Sequence, residues 1–169
     1  MGVNLVKHWI FVTSPENYKV CEKYGVFGVD ERYRTTCSQH ISAGDMVFFY
    51  ITSPQKVFIG PWVVKSPCKH NPNHVAVKEW KSPERRQVKY EYIIDIERYG
   101  EIGECRLNEV FKDLLFITNK RDKSRGGFSD HFQFSIISIR VEDFCRLLNC
   151  VIAEAKSEQE STKSLLFLC

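Results

Sequence analysis

The chain has 169 residues, with 24 Lys and Arg against 21 Asp and Glu, seven cysteines, and 22 aromatics made up of 3 Trp, 7 Tyr and 12 Phe. This length, with 43% hydrophobic residues, suits one globular domain and excludes disorder, collagen and coiled coil. A formal net charge of +3 is too small to make the whole body an attractor for a nucleic-acid backbone, so any such role must be local.

In chain order, His8–Thr13 is an apolar, β-branched run that reads as a strand. Ser14-Pro15 follows as an N-cap with proline at the first helical position, so the strand feeds a helix over Pro15–Tyr24 that turns Tyr18 and Cys21 inward and stops at Gly25. Residues 26–37 read as a loop or short irregular helix, and 43–45 as a turn. The β-forming runs Met46–Ile51 and 56–64 make an antiparallel hairpin, in which Pro61 implies an edge or a bulge and Gly60 a close approach to the backbone. Residues 66–86 form a long polar loop, 87–97 another strand, 107–115 a short helix, and 119–130 a basic loop. The pattern over 132–139 fits strand or helix, and 141–155 is an amphipathic helix with Phe144, Leu147, Leu148 and Val151 inward. The expectation is one α+β domain over 1–155, a strongly twisted and largely antiparallel sheet or small barrel flanked by helices. A polar tail over 156–169 ends in the apolar patch Leu165-Leu166-Phe167-Leu168.

No run approaches the roughly 18 apolar residues of a membrane span, and the N-terminus has no signal-peptide core, so a cytoplasmic protein without membrane association is expected. Myristoylation and prenylation motifs are both incomplete. The cysteines, with no CxxC pair, then read as small buried hydrophobes in a reducing compartment. Cys68, His70 and His74 hint at zinc, but Pro72 breaks helical presentation and no fourth ligand is near. No metal and no cofactor are expected.

Phosphate-loop, nucleophile-elbow, HExxH and dinucleotide motifs are all missing, which weakens any enzyme reading. Charge is more informative by position. Residues 119–125 hold four cations and one anion, and 78–89 hold five cations and two anions, so each segment carries as much positive charge as the whole chain. Two basic loops beside aromatic side chains suit a few phosphates and one unpaired base; two solvated loops are the plainer alternative.

The segments Trp9-Ile10-Phe11-Val12-Thr13-Ser14, Val26-Phe27-Gly28-Val29-Asp30-Glu31-Arg32, Val47-Phe48-Phe49-Tyr50, Ile59-Gly60 and Leu115-Phe116-Ile117-Thr118-Asn119-Lys120, with Glu142-Asp143-Phe144, resemble the EVE domain family. That family has a PUA-like fold related to YTH domains. The resemblance covers about residues 8–152 and looks closest to small stand-alone archaeal or bacterial members. It implies a non-enzymatic domain that binds RNA or DNA through an aromatic pocket for a single, sometimes modified, base.

Carried onto this sequence, Thr13, Ser14 and Asn17 would offer polar groups at the helix start. Phe27 would stack on the base, Gly28 and Val29 would present backbone, and Gly60 would leave space. Trp80 would be the second wall, with Tyr50 and Trp62 as rivals. Asn119 would read a base edge, and Arg32, Lys120 and Arg121 would hold phosphates. Phe27 stands where the family commonly has Trp. Plainer roles compete: core packing for Trp9, Trp62 and Phe27, an ion pair with Asp30 or Glu31 for Arg32, and a cap or turn for Asn119. The alternative function is a small-molecule pocket for a nucleoside or aromatic metabolite; a third is an interaction module using the terminal apolar patch.

Overall fold

The computed structural model describes residues 5–82, 87–118 and 135–166. Strand β1 (His8–Thr13) runs into helix α1 (Pro15–Tyr24), as Ser14-Pro15 predicts; the Ser14 hydroxyl accepts from the Asn17 N–H, and Gly25 closes the helix at φ 63°. The segment expected as a loop or short irregular helix holds strand β2 (Val26–Val29), which was not expected, followed by a single 3-10 turn (Glu31–Tyr33) and the short helix α2 (Arg34–His40). A four-residue strand with an internal glycine carries little period-2 signal, and β2 is defined by its partner strand.

Strands β3 (Met46–Ile51) and β4 (Val57–Val64) form the expected hairpin. β5 (Lys69–His70) is a two-residue strand followed by a 3-10 turn (Val75–Lys78). β6 (Tyr92–Arg106) starts later and runs further than the strand expected over 87–97, because it continues through an exposed polar stretch that has no hydrophobic alternation. α3 (Leu107–Val110) is short, β7 (Ile136–Ile139) settles the strand-or-helix ambiguity of its region, and α4 (Val141–Leu166) carries its helix through the start of the expected tail. Phe167, Leu168 and the side chains of Leu165 and Leu166 lie outside the described residues.

The described strands form one mixed sheet in the order β2-β6-β4-β3-β1-β7, with β5 beside β6, curled into a half-barrel with four helices. Only β1 and β3 are parallel, joined by the crossover through α1 and α2; the other pairs are antiparallel. Pro61 sits in β4 between two partner strands. It is accommodated by a shift of the β4–β6 register between Gly60 and Trp62, a bulge and not an edge.

Both faces of the sheet are buried, which explains the near-continuous hydrophobic runs of β1, β3 and β4. Alternation sorts their side chains: Trp9, Phe11, Val47, Phe49 and Ile51 join a core under α1, while Ile10, Phe48, Tyr50 and Phe58 join a second core under α3 and α4.

The cysteines differ from expectation. Cys37 on α2 is disulfide-bonded to Cys68, and Cys105 on β6 to Cys150 on α4; among the described residues only Cys21 and Cys145 are free. Low cysteine spacing carried no pairing signal, because the partners are 31 and 45 residues apart and meet only in the fold. The faint zinc cluster is also dispersed. Cys68 is in the disulfide, His74 caps the 3-10 turn through Nδ1, and His70 faces Glu91.

Candidate functional site

The C-terminal end of β1, the start of α1 and strand β2 surround a cavity of about 560 Å³, closed by residues 80–82 and Tyr90. Thr13, Ser14, Asn17, Phe27, Gly28 and Trp80, all anticipated from sequence, line it together. Val12, Glu16, Cys21, Thr52, Lys81, Ser82, Tyr90 and Ser135 complete the lining.

Trp80 lies directly over β2. A side chain at Gly28 would place its Cβ 2.4 Å from the indole Cζ3, so the bare glycine backbone is what admits the ring. Tyr90 meets the indole at 66° with centroids 5.9 Å apart, giving an angled aromatic wall. Phe27 forms the floor and not a stacking wall. One face of its ring stacks on Phe11 at 4.3 Å and 14°, and Phe49 makes a T-shaped contact with it, so the ring is anchored in the core and meets the cavity only at its border.

Asn17 also has a different task from the one expected. Its Nδ2 donates to the Lys81 carbonyl at 2.9 Å and its Oδ1 accepts from the Lys81 N–H at 2.8 Å. The carboxamide therefore mimics a strand edge and ties the Trp80 segment to α1. A second tether comes from Lys23 and Tyr24, whose ammonium and phenol both donate to Glu79.

At the mouth, Glu16 and Lys81 are the charged lining residues. The Glu16 carboxyl is held below its ordinary range by its own backbone N–H and by the Ser14 hydroxyl, so this helix start is already partly neutralised. Behind the wall, burial pushes the Cys21 thiol up to about 12, against the opposing pull of Trp80 and the Gly28 backbone; it is a protonated thiol at neutral pH and not a nucleophile.

Several expected site residues lie elsewhere. Val29 is fully buried. Tyr50 packs on Phe58 in the opposite core, where burial pushes its phenol up to about 12. Trp62 is buried against Phe49 and Tyr18. The space at Gly60 is taken by Phe48, whose ring would be 2.6 Å from an added Cβ. Arg32 is paired with Asp30, its Nε at 3.0 and 3.1 Å from the two carboxylate oxygens, beside a different surface hollow containing Lys89 and Tyr92. Asn119, Lys120 and Arg121 lie outside the described residues.

Tyr90 and Thr52 were missed. Thr52 follows β3 as Thr13 ends β1, and the parallel pairing brings them together: the Thr52 N–H donates to the Thr13 carbonyl at 3.0 Å. Tyr90 sits just before β6, and its aromatic ring immediately after the basic segment 78–89 was the available signal.

A curled mixed sheet with a polar cavity beside the first helix defines a PUA-like domain. The EVE domain family matches residues 7–150, and the chain belongs to that family. A UPF0310 protein of Pyrococcus horikoshii is 26% identical over 118 residues, covering 68% of this chain and 80% of that protein. Among solved structures, human THYN1 in complex with DNA containing 5-methylcytosine matches with a TM-score of 0.55 at 14% identity, over 85% of this chain and 96% of that one. The YTH domain of the Zygosaccharomyces rouxii MRB1 protein in complex with N6-methyladenosine RNA matches with a TM-score of 0.53 at 9% identity, over 88% and 91% of the two chains. At these identities the likeness to both structures is one of fold. No described helix is long and apolar enough to cross a membrane.

Proposed function

We propose that this protein is a non-enzymatic nucleic-acid-binding domain that takes one base, modified or unmodified, into the cavity beneath Trp80 and Tyr90. The observation that carries the reading is the cavity itself. It combines about 560 Å³, an angled indole–phenol wall and strand-end threonines that offer hydroxyls to a base edge. Its place in a fold shared with proteins solved in complex with 5-methylcytosine DNA and N6-methyladenosine RNA supports that use. The positive segments 78–89 and 119–125, with Lys120 and Arg121, supply the phosphate contacts, and Arg32 contributes only from its pair with Asp30. The expected cellular setting is the cytoplasm.

The second reading is a free nucleoside or aromatic metabolite, favoured by the balanced Glu16 and Lys81 charges at the mouth. Thermal-shift titration separates the two. Stabilisation by short oligonucleotides containing 5-methylcytosine or N6-methyladenosine, exceeding that by the matching free nucleosides, is expected; stabilisation by nucleosides alone would replace the first reading with the second.

A further inference from the structure

A second cavity of about 640 Å³ opens on the other side of the β3–β4 turn, between the start of β4, the end of β6 and α3. Its floor is apolar, made by the buried Val57, Leu107 and Phe111, and its rim carries the exposed Lys56, Arg106 and Glu104, two cations against one carboxylate. Val57 and Arg106 are paired across β4 and β6, and Lys56 immediately precedes Val57, so both cations border the same hollow. Neither side chain has an ion pair or hydrogen bond among the described residues, whereas Arg32, Lys23, Lys65, Lys69 and Arg98 are all paired with carboxylates. Lys56 is moreover held at φ 50°, the one described non-glycine residue in the left-handed region, where lysine is disfavoured by about 1 kcal/mol and glycine would be at ease. Its main chain is fixed there by donation from Leu107 N–H to the Lys56 carbonyl at 3.0 Å.

The turn links this hollow to the base cavity. Thr52 lines the first and Lys56 the second, and four residues of chain span at most ~14 Å, the reach of a few nucleotides. We infer that the second cavity is a neighbouring-nucleotide subsite. Lys56 and Arg106 grip a phosphate of the same strand whose base enters beneath Trp80, and Val57, Leu107 and Phe111 receive the apolar face of the adjoining nucleotide. The inference rests on the base-cavity reading and extends its footprint across the β3–β4 turn.

The test uses the full chain with fluorescein-labelled heptanucleotides of DNA and RNA, each with a central modified base, and with the corresponding free nucleosides. Lys56→Gly with Arg106→Gln removes both charges while relieving the backbone at residue 56. This double variant is expected to lose about tenfold in heptanucleotide affinity and to flatten the log K against log salt slope by about 1.4, since each single-strand phosphate contact contributes about 0.7. Its nucleoside thermal shift should stay at the wild-type value. Unchanged heptanucleotide affinity and salt slope, with Trp80→Ala still abolishing binding, would overturn the subsite and leave the base cavity standing. Wild-type binding of nucleosides without heptanucleotides would overturn the subsite as well, in favour of the small-molecule reading. Loss of heptanucleotide binding in the double variant but not in Trp80→Ala would instead overturn the base cavity and reduce the second hollow to a separate phosphate site.

Discussion

Phe49 and Tyr50 are adjacent on β3 and face opposite cores, and the two cores end differently. Tyr50, with Phe48 and Phe58, is sealed beneath α4 by Phe144, Leu147 and Val151. Phe49, with Phe11, Phe27 and Trp62, lies under α1, and its core stops short at the cavity. Both faces are rich in rings, so ring content does not distinguish core from site. The difference lies in the last wall. On one face a long helix supplies it with Phe144, Leu147 and Val151; on the other the described residues Trp80, Lys81, Ser82 and Tyr90 line the cavity, with the Lys81 backbone held by Asn17. A cavity survives where a tethered loop, and not a packed helix, completes the enclosure.

The sharpest way to test this contrast is to truncate the two indoles of the α1 core, Trp62 deep within it and Trp80 where it borders the cavity. Trp62→Ala should cost about 3–5 kcal/mol of stability, a fall of roughly 10 °C or more in melting temperature, because its ring is packed within the core. Trp80 is nine-tenths buried in the same core, so Trp80→Ala should also lower the melting temperature, by less than Trp62→Ala because its ring borders the cavity, and its distinguishing effect should be on binding. Next in size, replacing Cys37 and Cys68 together by Ser should lower stability by about 3–4 kcal/mol, the chain-entropy value for a 31-residue closure, measured by denaturant melts with and without reductant. If the double variant melts as wild type, the crosslink adds nothing to the segment that leads from β4 towards Trp80.

Legibility followed the same division. β1, α1, the β3–β4 hairpin and α4 were readable because their hydrophobic periods and the Ser14-Pro15 cap are local signals. β2 and the far half of β6 were not, since Val-Phe-Gly-Val is too short to alternate and 97–101 is exposed and polar. At the site, Thr13, Ser14, Asn17, Phe27, Gly28 and Trp80, all named from the sequence, line one cavity. The contacts that were not legible are those with a partner distant in the sequence: Asn17 with Lys81, Gly60 with Phe48, and the cysteines with one another; Arg32 instead meets Asp30 two residues away, the plainer role the sequence already offered. Sequence shows which residue types are available, while pairing over tens of residues decides which remain free to meet a ligand.

Smaller effects refine the tether. Asn17→Ala should reduce stability by about 1–2 kcal/mol and weaken binding a few-fold, since it removes both bonds to Lys81 and frees the Trp80 segment; an unaltered dissociation constant in a fluorescence titration would show that the segment holds itself. The smallest change concerns Asp95 on β6. Burial opposes its ionisation, but the Lys69 ammonium and the Ser66 hydroxyl outweigh that and hold the carboxyl below its ordinary range. Its contribution is therefore present above the unfolded-state value, about 3.9, and is lost as pH falls through the lower folded value. Asp95→Asn should flatten the loss of stability on acidification below about pH 4 by less than about 1 kcal/mol, as expected for a partly exposed pair.

The central claim is that Trp80 is the wall against which a base is held. Its most direct measurement is the fluorescence-anisotropy dissociation constant of Trp80→Ala for the modified-base heptanucleotide, taken beside the wild type at a fixed salt concentration. Base–aromatic stacking of about 1–3 kcal/mol predicts a loss of about tenfold or more with the fold retained. An affinity equal to wild type in a folded variant would contradict the account.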